Sequence, residues 1–178
     1  MPSSGHSVTA VITGLDIAHR IDQRFPGAVA EAAPEAATVE AAQLIEVCTY
    51  LRDDPDLKFE FLSSVTAVDR LEYFEVVYHL TSIRLNQMTA IKVRIEDREN
   101  PRAPSVTSVW PGANLQEREA YDLMGIVFEG HPDMRRVFLW DGFDGFPLRK
   151  DYLVGPGGRF PGLERFPGEP GGPLGGRG

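Results

Sequence analysis

Between Gln116 and Arg136 the chain reads QEREAYDLMGIVFEGHPDMRR. Three acids, Glu117, Glu119 and Asp122, are followed by Gly125, the run His131-Pro132-Asp133 and the pair Arg135-Arg136. Acids beside a histidine could do general acid/base work if a pocket pushed their pKa values apart. Glu119 and His131 are the residues that would carry it. Arginines among carboxylates could instead clasp a partner through paired hydrogen bonds. The His/Asp/Glu spacing is not that of a metal site, and neither a nucleophile elbow nor a phosphate loop occurs. His131, preceding Pro132, belongs in an extended turn, where a histidine is ordinarily a hydrogen-bonded loop residue. Farther on, Arg149-Lys150-Asp151 adds charge near Phe138, Trp140, Phe143, Phe146 and Tyr152. Aromatics mixed with arginine are the composition of an interface core.

A short helix must position this cluster. Asn114, after Pro111-Gly112, suits an N-cap, Glu117 stands at the N3 position of a capping box, and Gly125 suits the C′ position. The spacing therefore predicts a helix over Leu115 to Met124. At about 100° per residue, Ala120, Tyr121, Leu123 and Met124 form an apolar arc, with Arg118, Glu119 and Asp122 opposite. Glu117 falls inside the apolar arc and needs a partner there. It either folds back to cap its own helix or meets an arginine, in this chain or across an interface. Arg118 and Asp122, at i and i+4, can pair.

The remaining chain supplies the scaffold. Ile17, Ile21 and Phe25 predict an amphipathic helix from Gly14 to Phe25, ended by Pro26-Gly27, and an extended piece follows over Ala28 to Ala32. Leu44, Val47, Cys48 and Leu51 mark a second helix, stopped at Asp53-Asp54-Pro55, with Cys48 an inert thiol on its apolar stripe. The period then changes. Lys58 to Asp69, Tyr73 to Leu85 and the stretch around Ile91, Val93 and Ile95 read as strands, the last two a hairpin broken at Asn86-Gln87, with His79 on the sheet surface. After a loop over Glu99 to Pro104, SVTSVW (105–110) reads as another strand. Helices followed by strands give an α+β fold: two N-terminal helices packed on a mixed, largely antiparallel sheet, a short signature helix and an extended C-terminal tail.

The chain has 178 residues, 42% hydrophobic and 25% charged, and divides into a domain over 1–154 and a tail over 155–178. The tail holds 10 glycines and 5 prolines and repeats Arg159-Phe160-Pro161-Gly162 as Arg165-Phe166-Pro167-Gly168. Such a segment cannot offset its own ordering entropy. It is either a loose terminus or an arm that orders on a partner. A net charge of −8 argues against nucleic-acid binding. One cysteine excludes a disulfide within the chain and a cluster held by four thiolates. No phosphate-binding glycine motif follows a strand. The N-terminus lacks the order of a signal peptide, and no apolar run is long enough to cross a membrane.

The stretch EREAYDLMGIVFEGHPDMRR, followed by PLRKDY at Pro147 to Tyr152, resembles the signature of a family in respiratory complex I, the thirty-kilodalton (C) subunit of NADH:quinone oxidoreductase. The matching positions are Glu117, Arg118, Glu119, Asp122, Leu123, Met124, Gly130, His131, Arg135 and Arg136, then Pro147 to Tyr152, including Arg149, Lys150 and Asp151. LRDDPDLKFEFLSSVTAVD and YFEVVYHL resemble the family's middle region, so the likeness extends over about residues 38 to 154. The resemblance implies a non-catalytic subunit of the peripheral arm, on the cytoplasmic side of a cell membrane and attached only through its complex. It implies no cofactor held by this chain; NADH, FMN, iron–sulfur clusters and quinone belong to neighbours. The implied partners are the forty-nine-kilodalton (D) subunit and the two iron–sulfur subunits (B and I). A related complex with ferredoxin or another donor, and a free-standing enzyme using Glu119 and His131, are the alternatives.

Overall fold

A computed structural model describes residues 8–152. The tail read over 155–178, and with it the end of the domain assigned to 1–154, lies outside the described residues. In chain order the elements are β1 (Ala10–Val11), α1 (Gly14–Arg24), β2 (Val29–Ala32), β3 (Ala37–Val39), a 3-10 turn (Ala41–Gln43), α2 (Leu44–Asp53), β4 (Phe61–Asp69), β5 (Phe74–Ser82), β6 (Gln87–Ile95), β7 (Arg102–Pro104), α3 (Ala113–Met124) and β8 (Val127–Glu129).

The main sheet has the order β2-β3-β6-β5-β4. β4, β5 and β6 form an antiparallel meander, while β3 and β1 both join β6 in parallel. The fold is thus α+β on a mixed, largely antiparallel sheet. Alternation along β5 puts Phe74, Val76, Tyr78 and Leu80 on one fully buried face, in register with Ile95, Val93, Ile91 and Thr89 of β6. Each such side chain contributes roughly 1.5–3 kcal/mol on leaving water. The other face carries Ser64, whose hydroxyl bonds the exposed His79 at 2.9 Å.

Both N-terminal helices feed this core. α1, capped by the Thr13 hydroxyl accepting from the Asp16 amide at 3.2 Å, buries Ile17, Ala18 and Ile21 against β2, β3 and β6. α2 buries Leu44, Val47, Cys48 and Leu51. Burial pushes the Cys48 thiol far above its ordinary pKa, which keeps it unreactive.

Two expectations change. SVTSVW is not a strand: Val106, Val109 and Trp110 all enter the core, a spacing of turns rather than of a pleat. The Trp110 ring N–H donates to the Phe59 carbonyl at 3.1 Å, and Arg52 donates to the Val109 carbonyl at 3.0 Å, fixing the segment as an irregular approach to α3. The supposed loop before it instead contains β7, which pairs in parallel with β8. Because parallel partners need a crossover connection, α3 is the crossover of a small β-α-β unit set against the edge of the main sheet, where it packs on β4.

Candidate interaction surface

α3 begins at Ala113, two residues before the expected start, and its N-cap is Gly112, with no side-chain cap bond. Asn114 is therefore inside the helix, and Glu117 does not fold back as a cap. Its end is as expected: Gly125 takes φ +76° and donates to the Tyr121 carbonyl at 2.8 Å. A Cβ there would lie 2.5 Å from the Phe146 ring and 2.7 Å from the Arg149 guanidinium, so both backbone hand and space require glycine.

Glu117 has no exposed surface. One carboxylate oxygen accepts from the Ser105 hydroxyl at 2.6 Å and the other from the Val106 amide at 2.7 Å. Its partner is thus the approach loop, not an arginine. Burial raises its pKa to about 7, against the lowering effect of those two hydrogen bonds. Nearby, the Tyr78 hydroxyl is buried without a hydrogen-bond partner among the described residues.

Asp122 was expected on the charged rim beside Arg118, but it too has no exposed surface. One oxygen accepts from three consecutive amides, Val137 at 2.9 Å, Phe138 at 2.7 Å and Leu139 at 3.0 Å. The other accepts from Arg136 at 2.9 Å. Burial works to raise its pKa, yet the amides of Leu139, Phe138 and Val137, with Arg136, hold it below the ordinary carboxylate range. Arg136 goes on to donate to the Phe143 and Gly145 carbonyls, both at 3.3 Å. Arg118 turns instead to the carbonyls of Arg135 at 3.1 Å and Arg136 at 3.3 Å, with Asp133 at 3.8 Å.

A second clamp holds the following segment. Arg149 donates to the Met124 carbonyl at 2.7 Å and the Arg98 carbonyl at 3.2 Å, with its guanidinium 4.8 Å from the Phe146 ring centre and 5.1 Å from that of Phe74. Burial pulls its pKa below the usual arginine value. Asp69, at the end of β4, accepts from Arg98 at 2.6 Å and from the Lys150 amide at 2.9 Å. Burial opposes ionisation of Asp69, but Arg98 and the Lys150 and Leu71 amides outweigh it and hold the pKa at about 2. Asp151 pairs with the other side of Arg98 at 3.1 Å. Nothing in the motif flagged Asp69, Arg98 or Ser105; the bonds Ser105–Glu117, Asp69–Arg98 and Asp69–Lys150 span 12, 29 and 81 positions, beyond the reach of local spacing.

The arrangement separates the motif into an inner and an outer set. Glu117, Asp122, Arg118, Arg136 and Arg149 are spent on internal bonds. Glu119 is exposed and has no ion pair among the described residues, and Arg135 reaches only Asp133, at 2.9 Å. His131 and Glu119 are not joined: the imidazole donates through Nε2 to the Asn114 carbonyl at 3.1 Å and accepts at Nδ1 from the Asp133 amide at 3.0 Å. Both ring nitrogens are thereby occupied by backbone. On the outer side stand Phe138, 64% exposed, Leu148, 54% exposed, and Val137, 38% exposed. Phe138 and Leu148 thus leave apolar surface exposed on the clamped loop, and Glu119, Arg135 and Lys150 are exposed as well.

The model of the family described as respiratory-chain NADH dehydrogenase, 30 Kd subunit, matches residues 37–156, from β3 through both clamps. The chain belongs to this 30 Kd subunit family. Relatives include the second of the C subunits of NADH-quinone oxidoreductase in Rhizobium meliloti, 48% identical over 120 residues, which is 66% of this chain and 65% of the relative. The C subunit of the same enzyme in Azorhizobium caulinodans is 42% identical over 148 residues, 82% of this chain and 65% of that one. The C subunit of one Rhodopseudomonas palustris strain is 52% identical over 118 residues, 65% and 57% of the two chains. The 30 Kd family chain thus spans about 57 to 65% of the length of these relatives. Among solved structures, a chain from the membrane-bound sulfane sulfur reductase, an archaeal respiratory membrane complex, superposes with a TM-score of 0.62 at 26% identity, covering 76% of this chain and 83% of that one. Among the described residues, no helix is long and apolar enough to cross a membrane.

Proposed function

We propose that this chain is a non-catalytic subunit in the peripheral arm of a proton-translocating NADH:quinone oxidoreductase. It docks the forty-nine-kilodalton subunit of the quinone site and the two iron–sulfur subunits (B and I) on the cytoplasmic side of a cell membrane, while flavin, clusters and quinone stay with those neighbours. The observation that carries this reading is the use of the motif: Glu117 holds the approach loop, and Asp122, Arg136 and Arg149 are consumed in clamping the loop from His131 to Tyr152 onto α3 and β4. The outward groups left over, Phe138, Leu148, Val137, Glu119, Arg135 and Lys150, suit contact with protein. The domain read over 1–154 is the docking body.

The likeness to a chain of the archaeal sulfane sulfur reductase supports a second reading: the same scaffold role in a related complex with a different electron donor.

The test replaces Phe138 by Asp and Arg135 by Glu in the tagged, full-length chain expressed in its own host. The reading expects a folded chain that no longer copurifies with a partner of the forty-nine-kilodalton type, and membranes that lose NADH-dependent quinone reduction. Normal copurification and activity in the double variant overturn it. Activity with reduced ferredoxin but not NADH in wild-type membranes favours the second reading.

A further inference from the structure

β4 is the last strand of the main sheet, and its outer edge is incompletely used. The Val65 amide donates to the Gln116 side-chain carbonyl on α3, although its partner across the ladder is Tyr78 of β5. Along an antiparallel strand the backbone groups of successive residues point alternately toward and away from the neighbour. Val65 therefore faces outward, and so does Ala67 two residues on. Ala67 faces a groove of about 270 Å³ between β4 and α3. Its far wall is Glu119, Ala120, Leu123 and Met124, and Leu148 stands at one end. The Gln116 amide already gives Val65 what the carbonyl of an added strand would give.

We propose that this groove takes an extended segment of a neighbouring subunit as an added strand on the Ala67 edge. The segment places an apolar side chain over Ala120, Leu123 and Met124, and a lysine or arginine against Glu119. Strand addition of this kind draws affinity from main-chain bonds and specificity from alternate side-chain pockets, and an open edge is otherwise a liability that proteins cover. The basic residue follows from Glu119, which is exposed at the groove rim and has no ion pair among the described residues. A second copy of this chain fits worse. Two-fold pairing along β4 would bring Glu119 toward its own counterpart, between chains of net charge −8. The chain's own C-terminal stretch also fits worse. From Leu148, bonded to the Leu123 carbonyl, the backbone has already run on to Lys150, whose amide is held by the side chain of Asp69, the last residue of β4. The sequence beyond it is rich in glycine and proline, the residues least suited to a ladder. The inference rests on the reading of the chain as one component of a larger complex.

A photo-reactive benzoylphenylalanine at Thr66, in the tagged full-length chain assembled in its host, tests the groove directly. The expected result is a crosslink, read by mass spectrometry, to one contiguous segment of another subunit, with a lysine or arginine in that segment. Crosslinks to residues 155–178 alone, to a second copy alone, or to nothing in a complex that assembles, overturn the proposal. Two variants accompany it. Ala67→Pro removes an outward amide while leaving the β4–β5 ladder intact, and Glu119→Lys reverses the rim charge on an exposed side chain. Each is expected to weaken retention of the crosslinked neighbour by about tenfold, with the circular dichroism spectrum of Glu119→Lys unchanged. Unchanged retention in Glu119→Lys counts against the proposal even if Ala67→Pro misfolds. A wild-type chain that copurifies with no other subunit defeats the functional reading itself; copurification with a silent groove defeats only the added strand.

Discussion

Asp122 and Arg136 meet at 2.9 Å with the carboxylate wholly out of solvent. The same carboxylate anchors three amides of the loop that Arg136 begins, so one side chain of α3 sets the path of residues 136–139. Removing one partner of a buried pair costs about 3–5 kcal/mol, because the other charge is left uncompensated. Asp122→Ala is expected to lose that much in urea unfolding. Asp122→Asn, which keeps an oxygen for the amides but not the charge, is expected to lose less, with the Trp140 fluorescence altered in both.

Glu117 predicts an unusual pH dependence. Its folded pKa of about 7 lies above the ordinary 4.5, so the folded state binds more protons than the unfolded one between those values. Its contribution is full below about pH 4.5 and is lost as pH rises through 7, on the order of 3 kcal/mol. Glu117→Gln keeps an acceptor for Val106 and a group to face Ser105. It is expected to flatten this fall, measured as unfolding free energy from pH 5 to 8. Glu117→Ala leaves the Val106 amide unsatisfied and is expected to destabilise at every pH.

Asp69 gives the opposite slope. Its folded pKa of about 2 lies below the ordinary 3.8, so its contribution is present above pH 3.8 and lost as pH falls through 2. Arg98→Ala removes the largest lowering influence and is expected to raise the pH of acid unfolding, followed by circular dichroism.

Gly125→Ala is expected to cost more than the roughly 1 kcal/mol of a left-handed alanine, because its methyl would displace Phe146 and Arg149. The added loss should appear in thermal unfolding and shrink in a Gly125→Ala/Phe146→Ala double variant, a coupling a cycle measures.

The scaffold was largely legible because it rests on local periodicity. The alternation of Phe74, Val76, Tyr78 and Leu80 identifies β5, and the spacing of Leu44, Val47, Cys48 and Leu51 identifies α2. The helix end at Gly125 was legible for the same reason, since a left-handed cap has a residue signature. The surroundings of α3 were not. Helical spacing offers Arg118 to Asp122, but Arg136 and three amides arrive from the following loop and give the carboxylate a better-satisfied burial than an exposed pair could. SVTSVW looks like a strand by composition, yet Val106, Val109 and Trp110 are drawn inward together and the backbone bends to feed Glu117. Short β7 and β8 carry too few residues to show a period, and only their mutual pairing makes them strands.

That pairing bears on when the signature region forms. β7 and β8 can zip together only after the approach loop and α3 have been threaded between them, a non-local closure that meets its entropy cost before any ladder bond is gained. The antiparallel meander of β4, β5 and β6 needs no such wait. A newly made chain is therefore expected to close that meander before α3 is seated on β4. This is the interval in which a neighbouring chain would find β4 uncovered.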